Sequence, residues 1–63
     1  MTDYSRAWAI EALIDISNAV GRVSESAVAY AVKGDHQRAE ALNKIGSELN
    51  DIMCQIEKII NIE

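Results

Sequence analysis

The chain has 63 residues, a net charge of −4 from six basic and ten acidic side chains, and one cysteine. So short a chain buries too little surface to be comfortable alone, and it lacks the second cysteine or the histidine cluster that could staple it with a disulfide or a zinc ion. That excludes a disulfide scaffold, and no window approaches the ~18 apolar residues of a membrane span.

Proline is absent and glycine occurs three times, which suits long helices and predicts an all-α chain. The opening MTDYSRAWAIE has no cationic stretch followed by a continuous apolar run, so no signal peptide is expected and the reducing cytoplasm is the expected compartment. Thr2, Asp3 and Ser5 are all plausible N-caps for a first helix over about 3–32. Its main seam is Ala9, Leu13, Ile16, Val20, Val23, Ala27 and Tyr30, at alternating steps of three and four. A second line, Ala7, Ile10, Ile14, Ser17, Gly21, Ser24, Val28 and Ala31, runs roughly 100° around the same helix. One neighbour cannot cover both lines, so a second neighbour is expected, as in a four-helix bundle. Gly21 in a helix interior costs about 0.5–1 kcal/mol against alanine. Close approach of another backbone accounts for it, and so does a slight bend.

Lys33, Gly34 and Asp35 read as a turn. Gly34 suits the left-handed conformation that ends a helix, Lys33 suits the negative helix end, and Asp35 can cap the next helix. That second helix is predicted over about 36–61, with Leu42, Ile45, Leu49, Ile52, Ile56 and Ile59 as its seam and Ala39, Gly46, Met53 and Ile60 alongside. Extending the first helix's heptad from Leu13 by sevens reaches Ala41, whereas the second seam contains Leu42. The phase slips at the turn, which favours a hairpin over one continuous rod. The expectation is therefore one domain, an antiparallel helical hairpin that dimerises into a four-helix bundle. Its dimer core would be Ile10, Leu13, Ile14, Ile16, Val20, Gly21, Val23 and Val28 with Leu42, Ile45, Leu49, Ile52, Ile56 and Ile59.

Little in the pattern suggests chemistry. Glu11 and Asp15 share a helix face, which hints at an acid/base or metal pair, but inward acids with Glu-x-x-His spacing are missing and a solvated face explains them. Glu48 and Asp51 read the same way. Glu40, Lys44 and Glu48 form a possible i, i+4 ladder on an outer face. His36 sits alone in the turn region, and Cys54 is a single thiol for which no nucleophilic role is expected. No catalytic residue, metal or cofactor is expected. Tyr4 and Trp8, one turn apart and off both seams, are the candidate partner-binding residues. They either cap the bundle end against Ile59, Ile60 and Ile62 or form an adhesive patch for another protein.

The stretches RAWAIEALIDI and SELNDI, with the length and acidity, resemble the small open-reading-frame protein of 63 residues encoded in the exo–xis region of lambdoid bacteriophages. The resemblance implies an accessory early protein of a temperate phage. Such a protein would act in the bacterial host cytoplasm on host growth or on the lysis–lysogeny decision, by binding and not by catalysis; with the dimer expected from the seams, the expected partners are a second copy and a host or phage protein. It transfers no site residue. In size and plan the chain is also similar to the plasmid regulator Rop, a dimeric helical hairpin that binds paired RNA loops, which makes an RNA- or DNA-binding regulator the alternative. Against that, Arg6, Arg22, Lys33, Arg38, Lys44 and Lys58 are scattered singly and form no basic stripe.

Overall fold

The computed structural model describes residues 4–61 and shows two helices packed side by side, α1 over Tyr4–Val32 and α2 over His36–Ile60. The proposed caps Thr2 and Asp3, and Ile62, lie outside the described residues. Ser5 falls inside the first turn of α1 and not at its cap.

The turn is built as its residue types require. Gly34 takes a φ of +84°, a left-handed conformation open to glycine at no steric cost. The N–H of Gly34 donates to the Ala31 carbonyl at 3.0 Å and the N–H of Asp35 to the Tyr30 carbonyl at 2.9 Å, which satisfies two of the last carbonyls of α1. Asp35 then begins α2. One carboxylate oxygen accepts from the Arg38 backbone N–H at 3.2 Å and the other from the Arg38 guanidinium at 2.6 Å. The Arg38 guanidinium bond, followed by the backbone one, holds the Asp35 carboxyl below its ordinary pKa, and the same contact raises that of Arg38. This is the one ion pair among the described residues, so the Glu40–Lys44–Glu48 ladder does not form.

With three residues between the helices, α2 must return antiparallel against α1. The α1 residues that lose exposure include every member of the expected seam, from Ala9 to Tyr30. On α2 the expectation needs correction. The side facing α1 is Ala39, Leu42, Gly46, Leu49, Met53, Ile56 and Ile60, while Ile45, Ile52 and Ile59 are exposed within the hairpin. The register explains this. A Cβ on Gly46 would meet Val23 Cγ1 at 3.8 Å, and stepping both seams outward from the turn sets Tyr30 across from Ala39, Ala27 from Leu42 and Val23 from Gly46. Beyond these come Val20 with Leu49, Ile16 with Met53, and Leu13 with Ile56. Small residues are needed opposite large ones near the turn, and that requirement brings Ala39 and Gly46 inward.

The result is a single layer, with Cα extents of 54 × 16 × 9 Å. Its radius of gyration is 15.0 Å, against about 11 Å for a compact chain of this length. Only Ala27, Ala39 and Gly46 are buried among the described residues.

Candidate interaction surface

Two apolar rows flank the packed seams. On α1, Ile10, Ile14 and Val28 are between 42% and 64% exposed, with the small residues Ser17, Gly21 and Ser24 between them. On α2, Ile45, Ile52 and Ile59 are between 43% and 67% exposed.

These rows lie on opposite sides of the layer. Seen along α1 from its N-terminus, residue numbers advance clockwise, and the α1 row lies about 110° clockwise of the seam. The α2 helix runs toward the viewer, so its numbers advance counterclockwise. Its isoleucine row precedes the seam by about 90° and is therefore clockwise of it too. Two facing seams with rows displaced in the same rotational sense place those rows on opposite flanks. The surface agrees: a depression of about 420 Å³ is lined by Ile10, Leu13, Ile14, Ser17 and Asn18 of α1 with Met53 and Glu57 of α2, and by none of the three exposed isoleucines of α2. The residues expected to share one interior thus divide into the half-exposed hairpin seam (Leu13, Ile16, Val20, Val23, Leu42, Leu49, Ile56) and two outer groups. Ile10, Ile14, Gly21 and Val28 form one, and Ile45, Ile52 and Ile59 the other.

A Cβ on Gly21 would meet nothing within 4 Å, so no contact inside the hairpin calls for a glycine there. Gly46 is the glycine that faces the other helix, and a Cβ there would sit in ordinary van der Waals contact with Val23. Its signal in the sequence was its place, one heptad from Ala39 and Met53, on a line that also carries Ile60.

Tyr4 and Trp8 stack on each other with ring centroids 6.1 Å apart. Trp8 remains 67% exposed, so the isoleucines at the end of α2 do not cover it. The same turn geometry puts Trp8 on the flank of Ile59. At the other end Tyr30 stands between two cations, Lys33 Nζ at 6.0 Å and Arg38 Cζ at 5.9 Å from its ring centroid, at the limit of a cation–π contact. Glu11 and Asp15 are exposed and outside the depression. No group of three His, Cys, Asp or Glu able to hold a metal occurs among the described residues. Cys54 and His36 are exposed, and no described helix is long and apolar enough to cross a membrane.

Comparison with family models, with curated proteins and with solved structures returns no match. The surface itself has to carry the functional reading.

Proposed function

We propose that the chain is a non-enzymatic, homodimeric interaction module in which two hairpins close into a four-helix bundle. The observation that carries this is the single layer. Domains are built from two or more packed layers, and this one leaves an aliphatic row open on each side. The exposed surface is 5131 Å² for 6.9 kDa, roughly 1,100 Å² more than a compact chain of that mass shows. A standard protein interface covers about 800 Å² per partner, so the excess matches what one partner removes.

One two-fold contact covers one flank and leaves the other displayed. A dimer of this hairpin therefore still offers the apolar surface of its uncovered flank to a host or phage protein. The resemblance to the exo–xis protein supplies the setting: an accessory regulator of a temperate phage, acting on host growth or on the lysis–lysogeny decision. The test is thermal unfolding followed by circular dichroism across a hundredfold range of protein concentration. Association to the folded state makes the midpoint rise with concentration. A midpoint independent of concentration contradicts the proposal.

A further inference from the structure

We infer that two copies close on the flank of Ile45, Ile52 and Ile59, about an axis parallel to the helices, so that these isoleucines lie along Ala12, Ala19 and Ser26 of the partner with both turns at the same end. This rests on the proposed self-association and names its face and orientation.

The choice of flank depends on what each would bury. Along the flank of Ile10, Ile14 and Val28, α2 presents Asn43, Asn50 and Glu57, all exposed, and Glu57 lines the depression itself. A dimer closed there would take two amides and a carboxylate from water, which is costly without matched partners. On the other flank α2 presents isoleucines, and α1 presents the half-buried small residues Ala12, Ala19 and Ser26, with Trp8 and the single carboxylate Asp15 exposed beside them, against the two amides and a carboxylate of the first flank. There, too, Leu42, Ile45, Leu49, Ile52, Ile56 and Ile59 form an unbroken run at steps of three and four, the pattern of a coiled-coil seam, of which the hairpin covers one edge.

The orientation comes from level and charge. Both rows repeat every seven residues. In the hairpin register Ile52 stands level with position 17 of α1, two residues or about 3 Å along the axis from Ala19. Ile59 and Ile45 bear the same relation to Ala12 and Ser26. An axis parallel to the helices preserves these levels and exchanges α1 for α2, so each copy's isoleucine ridge meets the other's trough of small residues. An axis across the helices would stack isoleucine on isoleucine and alanine on alanine, wide on one side and narrow on the other. At the rim of the parallel arrangement Arg22 falls one level from Glu48 of the second copy. Both are exposed, and neither has an ion-pair partner in the hairpin.

Dimer dissociation constants from sedimentation equilibrium of the full chain decide the matter. Ile52→Asp should weaken association by about a hundredfold or more, and Ile14→Asp should change it less than about threefold. Arg22→Glu and Glu48→Arg should each weaken it by about fivefold at low salt, and the double reversal should restore it. Dissociation by Ile14→Asp, alone or together with Ile52→Asp, overturns the assigned flank while leaving self-association standing. Failure of the double reversal to rescue the single ones overturns the orientation. If Ile52→Asp loses its helical circular dichroism, the charge series decides alone, because Arg22 and Glu48 are exposed in the hairpin. A monomeric unaltered chain would instead defeat the reading on which this rests.

Discussion

The half of the hairpin next to the turn and the half at its open end are built from the same kinds of residue and reach different results. Near the turn every level pairs large with small: Tyr30 with Ala39, Leu42 with Ala27, Val23 with Gly46. All three buried residues are there. Toward the open end large meets large, in Val20 with Leu49, Ile16 with Met53 and Leu13 with Ile56, and no residue is buried; near the turn the small partners Ala27, Ala39 and Gly46 are buried while Tyr30, Val23 and Leu42 stay half-exposed like the open-end residues. The depression beside Ile10 and Met53 belongs to this half. Two helices close on each other when one side yields volume to the other. Both halves still leave apolar surface outside the seam, at Val28 and Ile45 near the turn and at Ile10, Ile14 and Ile59 toward the open end.

The largest effect should come from one substitution made at two glycines, one on the packed seam of the turn half and one on its open flank. Gly46→Leu drives a branched side chain into Val23, already 3.8 Å from the Cβ position, and should cost about 1–3 kcal/mol in urea unfolding. At Gly21 an added Cβ meets nothing within 4 Å, and Gly21→Leu should be neutral or stabilising by up to about 0.5–1 kcal/mol, the helix penalty of glycine. Equal losses at both sites would mean that the Gly21 flank is in close contact after all. Next in size, Gly34→Ala forces a side chain into a positive φ and should cost about 1 kcal/mol, read from the same denaturation curves.

The smallest effect is in acid. Because the Asp35 carboxyl is held below its ordinary value of 3.8, chiefly by the Arg38 guanidinium, the folded chain binds that proton less readily than the unfolded one. Its contribution is complete above about pH 4 and is lost as the pH falls from there through the lowered folded value. Asp35→Asn should remove that segment of the stability–pH curve and leave the neutral-pH shape unchanged. An identical acid limb in the variant would show that Asp35 contributes nothing there.

Much of this was legible in the sequence. The α1 seam, the Gly34–Asp35 turn and the helix ends that flank it came from spacing and residue type, because a helix period and a left-handed glycine are local properties. The α2 face was not read correctly, since Ile45, Ile52 and Ile59 outweigh Ala39 and Gly46 in any pattern that scores apolar size. Register across a turn is a pairwise property, and a small residue signals its place only through the large one opposite. Exposure of Ile10, Ile14, Val28, Tyr4 and Trp8 was readable from their distance off the seam. That the two rows emerge on opposite flanks depends on the α2 seam and on α2 running backward, so it became readable only once both helices were placed.

Sedimentation equilibrium of the unaltered chain at micromolar concentration tests the central claim most directly. The account predicts a particle of twice the 6.9 kDa chain mass that keeps its helical signal. A well-folded species of 6.9 kDa, with Ile52 and Ile14 both open to water, would contradict it.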